Sequence, residues 1–393
     1  MAASLLPLLL FLFLITVNNL SAAQTTLSHG GFFLDITKDV QTHQYTTQLL
    51  IGTPQLPTKL VVHLSGESLW LNCAQSSSSR QFVRHGSLPC LMAKSGAQTP
   101  IPPSPTICNV RQENPITGST NLGDLAEDIL TVFDNMGSPA TVDRFIFSCS
   151  PEYLLQNLAS SAKGMLSFGR SKIAFQSQAV NNFNIPRKFV LCLSSSNGFI
   201  ISGIDISKSL SYTPLISSHG HQDGYYVNVK AIKINGRKLV LQPIRGVEIS
   251  TVVPYTIMKS SIYGIFTKAY VKAAASMNMT MVAPVAPFGV CFSSQQGKVP
   301  EIELVLQSEL VKWMIQRRNL MVQVSDLIMC LGFVDGGLSM SGSVVLGGYQ
   351  LEDHILEFNV GTGMLGFSSS LLTKGNSCSS MKTALVSTPT ESL

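Results

Sequence analysis

The chain is 393 residues long, with 45% apolar and only 12% charged residues, enough to bury a large core and to build two domains. Its formal charge of +5 is the balance of 27 Lys plus Arg against 22 Asp plus Glu, and the basic residues are scattered along the chain. That composition excludes a disordered polyelectrolyte and speaks against nucleic-acid binding, which needs clustered cations.

The chain opens on MAASLLPLLLFLFLITVNNLSAAQ, an apolar run from Leu5 to Val17 followed by Ser21, Ala22 and Ala23. The run is shorter than the ~20 residues that span a bilayer, and it ends in small residues. Residues 1–23 are therefore expected to be a secretory signal cleaved after Ala23, which also removes the sequon headed by Asn19. A secreted chain with eight cysteines, at 73, 90, 108, 149, 192, 291, 330 and 378, is expected to form disulfides. None of them has CxxC spacing, so neither a metal centre nor a cofactor is expected, and the pairing stays open among roughly 105 connectivities. Four of the eight precede residue 150, which predicts a more heavily stapled first half.

From Thr46 onward, short apolar or alternating runs recur between Gly, Pro, Ser and Asn: TTQLLIGTP, KLVVHL, SLWLNC, RFIFSC, KFVLCL, GFIISG, YYVNVKAIKING, RKLVLQ, EIELVLQ and SVVLGGY. This pattern predicts mostly β structure with hairpins. In the second of these runs His63 stands where an apolar strand meets the turn Leu64-Ser65-Gly66. The segment from Ala74 to Pro115 turns rich in Ser, Arg, Pro and Gln, and is expected to be an irregular, disulfide-tied surface region. PEYLLQNLASSAKG shows weak helical periodicity. Residues 204–218 offer a boundary between lobes at 24–208 and 209–393. Asn235-Gly236 is the strongest hairpin signal, because both residues accept positive φ. PYTIMKSSIYGIFTKAYVKAAASM reads as a helix that Pro254 starts, and Asn278, in Asn-Met-Thr, is expected to carry a glycan. A strand, Gly-containing turn and strand occur at KLVVHLSGESLWLN and again, more loosely, at GVEISTVVPYTIM, which is a two-lobe pattern.

IGTPQLPTKLVVHLSGESLWLNC, GVEISTVVPYTIM and VVLGGYQ resemble the pepsin-like aspartic proteases. NPITGSTNLGDLAEDIL, RFIFSCSPEYLLQNLASSAKGM, IPRKFVLCLSSSNGFIISG, VAPFGVCF and MCLGFVDGG resemble a plant extracellular branch of that fold more closely. This branch includes basic 7S globulin, the dermal glycoproteins and the inhibitors of xylanases and xyloglucanases. The resemblance implies a mostly β, bilobal pepsin-like fold with a few short helices, secreted to the apoplast or cell wall.

An aspartic protease needs two carboxylates sharing one proton, one activating water while the other protonates the substrate carbonyl. Laid on the family pattern, the first position falls on His63 and the second on Ser250, with Thr251 and Val252 following it. The flap tyrosine falls on Pro115. The resemblance thus implies a catalytically inactive protein and no enzyme. A Ser250–His63 nucleophile and base would also need a third group to orient the ring and donors for an oxyanion, and the sequence shows neither. Asp124, Glu127, Asp128, Glu352 and Asp353 are expected to be solvated and structural.

The family further implies protein binding, most directly inhibition of a microbial glycoside hydrolase whose paired carboxylates would meet a basic side chain. The loops that would do this are short here. They retain Arg245, in the PIR segment, and Lys298, in SSQQGKVP, as candidates. A storage or binding globulin is the alternative, and an active aspartic endopeptidase a third.

Overall fold

The computed structural model describes residues 31–95, 106–135, 137–205, 210–217, 223–294, 298–340 and 342–387. The signal at 1–23 and the lobe boundary at 208/209 lie outside these described residues.

Strands dominate, and one sheet runs through both halves of the chain. Its strands Ser211–Pro214, Met364–Phe367 and Ile355–Asn359 come from the second half, and Lys188–Cys192, Asn197–Ile201 and Phe33–Lys38 from the first, hydrogen-bonded in that order. The junction is the antiparallel pair Lys188–Cys192 with Ile355–Asn359, in which Val190 stands opposite Glu357. The same sheet continues through Tyr45–Ile51 into Leu56–His63 and Gly164–Ser167, then Trp70–Asn72 and the long pair Pro139–Ser150 and Ser119–Phe133. A single apolar core, with Leu60, Val62 and Leu64 from the first half and Ile249, Leu331 and Leu346 from the second, joins the two.

Two sets of four strands repeat one arrangement. Leu56–His63 pairs parallel with Gly164–Ser167, which pairs antiparallel with Trp70–Asn72, which pairs parallel with Pro139–Ser150. In the second half Ile244–Ile249 pairs parallel with Val344–Leu346, which pairs antiparallel with Thr256–Met258, which pairs parallel with Phe333–Asp335. The weak sequence repeat therefore marks two copies of one motif. A strand with parallel partners is buried on both faces, and Val61 and Val62 are both fully buried. They face different clusters: Val62 enters the common core and Val61 a small cluster with Trp70 and Met165.

Four disulfides close the cysteine set. Cys73–Cys149 and Cys90–Cys108 lie in the first half, Cys291–Cys330 in the second, and Cys192–Cys378 ties the C-terminal helix Cys378–Ser387 to the shared sheet. The first half is indeed the more heavily stapled within itself. The hairpin at Asn235-Gly236 also forms, with φ of 46° and 74° and Ile234 opposite Arg237.

Three local expectations are corrected. Pro254 does not start a helix: Thr256–Met258 is taken as a strand between two others, and the helix is Ser260–Ala275, with Ser260 Oγ donating to Asp335 Oδ1 at 2.6 Å. PEYLLQNLASSAKG forms only the 3-10 turn Glu152–Leu155, because Asn157 and Ser161 take the left-handed conformation, with φ of 63° and 64°, which a continuous α-helix does not accommodate. The region between Ala74 and Pro115 is not wholly irregular. It contains the helix Leu88–Lys94, begun by Pro89 in its first turn, and the strand Asn109–Asn114.

Candidate functional site

His63 ends its strand opposite Ser167. The turn that follows is narrow. A Cβ on Gly66 would sit 2.2 Å from Ser167 Oγ and 2.8 Å from His63 Nδ1, so only glycine fits there. Backbone bonds hold the turn, Phe168 N–H donating to His63 O at 2.9 Å and Gly169 N–H to Gly66 O at 3.2 Å. Leu64 points into the common core and is fully buried. The imidazole itself is half-buried, and no described side chain hydrogen-bonds to it. Burial alone pushes its pKa down to about 4, since desolvation penalises the cation and no carboxylate stands by to restore it. The ring is therefore neutral at neutral and mildly acidic pH.

Ser250 occupies the matching point after Ile244–Ile249 and is buried. Its N–H donates to Leu346 O at 3.0 Å, and its Oγ accepts from the N–H groups of Val252 and Val253, both at 3.3 Å. The hydroxyl is thus spent on stabilising its own turn. Thr251 crosses to the other half of the chain: its Oγ1 donates to Val62 O at 2.7 Å. Ser65 Oγ crosses the other way, donating to Glu248 Oε1 at 2.8 Å. These two bonds tie the His63 and Ser250 turns to opposite halves of the chain.

Val252 then projects into the first half. It is buried and packs in one cluster with Val61, Trp70, Leu154 and Met165, against which Ile116 also lies. Ile116 comes from the tip of the hairpin made by Asn109–Asn114 and Ser119–Phe133, next to Pro115, which is exposed. Asn114 pins this tip. Its Oδ1 accepts from Ile116 N–H at 2.9 Å and its Nδ2 donates to Leu154 O at 2.8 Å. Sequence reasoning passed over Ile116, and it named Val252 only as a departure from the family pattern, without the packing role. The signal for Val252 was available, because a β-branched residue replaces a glycine in a turn that the family keeps tight.

Family models described as xylanase inhibitor N-terminal and xylanase inhibitor C-terminal match residues 45–203 and 224–369. The chain belongs to the xylanase-inhibitor family. A curated relative, probable aspartic proteinase GIP2 from Nicotiana benthamiana, is 37% identical over 94% of this chain and 96% of its own length. The solved structure of edgp superposes with a TM-score of 0.83 at 38% identity, covering 89% of this chain and 97% of that one. Basic 7S globulin from soybean superposes with a TM-score of 0.81 at 32% identity over 89% and 98%. The pepsin-like, bilobal reading of this xylanase-inhibitor-family chain is therefore established, and it is an aspartic-protease-like protein.

The remaining sequence candidates lie apart from the two turns. Arg245 is not in a loop: it is the second residue of the strand Ile244–Ile249, exposed, held by the pairing of Ile244 with Val229. Lys298 is exposed beside the undescribed residues 295–297. Asn278 is exposed in the turn after the long helix with φ of 59°.

The acidic residues differ most from expectation, because most of them are not solvated. Asp128 is 1% exposed and accepts from Arg80 Nε at 3.2 Å, Ser79 Oγ at 2.6 Å and Ser77 Oγ at 3.1 Å. Glu127 is buried against Arg144 at 2.6 Å, and Asp124 accepts from Asn109 Nδ2. Glu352 is buried between Lys38 Nζ at 2.7 Å and the Tyr45 hydroxyl at 2.8 Å, tying the two halves together. Asp353 accepts from Cys378 N–H at 2.9 Å, and burial raises its pKa. Each has a structural partner, as a buried charge requires. Among the described residues no group of three His, Cys, Asp or Glu is placed to hold a metal, and no helix is long and apolar enough to cross a membrane.

Proposed function

We propose that this chain is a secreted, catalytically silent member of its family that works by binding protein, as an inhibitor of a glycoside hydrolase. His63 and Ser250 take the two positions that an aspartic protease gives to carboxylates. One observation carries this reading: Val252, two residues past Ser250, is buried in the Trp70 cluster, with Ile116 from the hairpin tip packed against that cluster. At mildly acid pH the site offers a neutral ring and a hydroxyl already bonded to its own backbone. A neutral imidazole can accept a proton, but Ser250 supplies no acidic partner to protonate a substrate carbonyl as the second carboxyl of an aspartic protease does.

The family models support the choice of partner, and Arg245 is the better placed of the two basic candidates. A cation on a strand is held more rigidly than one on a loop, so less ordering is needed to insert it opposite an ionised carboxylate. The test is to titrate the secreted protein against a xylanase and a xyloglucan-specific endoglucanase, with Arg245→Ala and Lys298→Ala alongside. Inhibition that weakens at least tenfold in one variant is expected. No inhibition of either enzyme at micromolar protein would sink the reading.

The likeness to soybean basic 7S globulin favours a second reading, a storage or ligand-binding globulin in the apoplast or seed. Abundance in the tissue, without a hydrolase in pull-downs, would select it. Proteolysis of a denatured protein at about pH 3 to 5, blocked by pepstatin, would overturn both.

A further inference from the structure

A cleft opens in the first half of the chain, where the ends of Tyr45–Ile51 and Trp70–Asn72 meet the start of Leu56–His63. None of its lining residues belongs to the His63 or Ser250 turn. It holds about 340 Å³ of empty space, its open mouth included, and only a small part of that lies below the rim. The polar part of its lining includes Asn72, Gln75, Ser76, Arg80 and Lys163. Arg80 is built into the wall, its side chain 12% exposed. Nε donates to Asp128 Oδ2 at 3.2 Å, Nη1 donates to Cys73 O at 3.2 Å and to Gln75 O at 2.9 Å, and the guanidinium carbon lies 5.7 Å from the centre of the Phe147 ring. Nη2 takes no part in these bonds. Lys163 is anchored by its backbone, which donates to Lys59 O at 2.8 Å and accepts from Asn72 N–H at 2.7 Å. Its side chain is exposed, with no ion pair or hydrogen bond among the described residues.

The groups left over around this cleft are donors. Asn72 Oδ1 already accepts from Ala74 N–H at 2.9 Å, which leaves its Nδ2, and the Ser76 hydroxyl makes no hydrogen bond among the described residues. No carboxylate and no aromatic ring lines the cleft. Asp128 stands behind Arg80, and its oxygens are taken by that guanidinium and by the hydroxyls of Ser77 and Ser79. Arg80 and Lys163 against Asp128 leave one positive charge, and from Ser68 to Gln112 the sequence has no acidic residue to cancel it. Such a lining excludes a metal cation, which needs anionic or carbonyl ligands. It also excludes a sugar ring or a nucleobase, for which the cleft is too shallow and has no face to stack on. A small oxyanion meets every condition, since charge-assisted N–H donors bind it best and Arg80 is already held in place.

We propose that this cleft binds a small oxyanion, tetrahedral or carboxylate, between Arg80 Nη2 and the Lys163 ammonium, with the Ser76 hydroxyl and the Asn72 amide at its edge. The bound ion fastens the serine-rich loop 75–80 to the start of Gly164–Ser167. The site is separate from Arg245 and does not rest on the inhibitor reading. The probes are sulfate and acetate, each exchanged for chloride at constant ionic strength and neutral pH while thermal unfolding of the full secreted protein is followed. The wild type is expected to unfold about 2 °C higher in about 20 mM of the ion that fits. Lys163→Gln, at an exposed position, should fold and lose most of that shift. General salt effects move both proteins alike, so the difference between them is the reading. A shift that depends on Lys163 supports the site, and the ion that gives it names the shape preferred. Equal shifts in the two proteins, with sulfate and with acetate, would overturn the proposal. Crystals soaked in selenate give an independent answer for the tetrahedral ion: an anomalous selenium peak between Arg80 and Lys163 supports the site, and if acetate also leaves unfolding unchanged, the lack of a peak refutes it.

Discussion

The turns at His63 and Ser250 are built on the same strand pairings, yet the residues within them are secured by different means. In the first, Leu64 holds by packing in the core while the apex ring makes no hydrogen bond among the described residues. In the second, Thr251 holds by a bond to Val62 O across the molecule, and the apex hydroxyl is absorbed by two backbone N–H groups. The architecture of an acid-protease centre thus survives on backbone ladders, one leucine and one threonine. Apex chemistry is not needed to keep the turns in place.

Leu64→Ala should cost the most, about 3 kcal/mol or somewhat above, because a fully buried leucine leaves a cavity that two packed sheets cannot collapse; urea unfolding measures it. If the loss is below about 1 kcal/mol, the first turn is not held by packing. The next effect is a pH dependence that separates the apexes, since only the first titrates. His63 stays neutral in the folded protein down to about pH 4, whereas the unfolded chain takes up its proton near the ordinary 6.5. The folded ring's pKa is lowered, so stability is unaffected above 6.5 and falls as pH drops from 6.5 to about 4. The loss is on the order of 3 kcal/mol at most, less what partial solvation returns. His354 serves as a reference outside the turns. It is fully buried beside Trp313, with Nδ1 at 3.1 Å from Ser368 O and its pKa pushed down to about 4. His63→Gln should remove one of the two contributions and His354→Gln the other, read from unfolding midpoints across this range; an unchanged slope in His63→Gln would refute the desolvated ring.

Thr251→Val should cost about 2 kcal/mol, since it leaves Val62 O buried without its donor. A value near that for Leu64→Ala would mean that the two turns are held equally. Ser250→Ala should be smallest, about 1 kcal/mol, with only a local turn bond lost. In the same series, a fluorophosphonate reagent is expected to leave Ser250 unlabelled; labelling would show the hydroxyl to be an activated nucleophile after all.

Much of this was legible along the chain. The alternating runs foretold the strands and Asn235-Gly236 its hairpin, and the family motif laid on the chain pointed to His63 and Ser250 as the two turn residues. Such features depend on near neighbours: period-2 burial, positive φ at a turn, residue identity at a fixed offset. The helix expected from Pro254 was misread for the same reason. Its first residues are claimed by Phe333–Asp335 and Val344–Leu346, strands about eighty residues away in the chain.

The composition and order of residues pointed to a β-rich chain closed by disulfides, in which the two turn residues His63 and Ser250 are not carboxylates. That conclusion rests on side-chain identity, which folding does not alter. Only the tertiary structure decided what became of the space and charge around those positions. Val252 is buried in the Trp70 cluster with Ile116 packed against it, Glu352 sinks between Lys38 and Tyr45, and Nε and Nη2 of Arg170 are buried without a hydrogen-bond partner. Each of these depends on contacts between distant segments, where burial sets whether a polar group is solvated, paired or stranded.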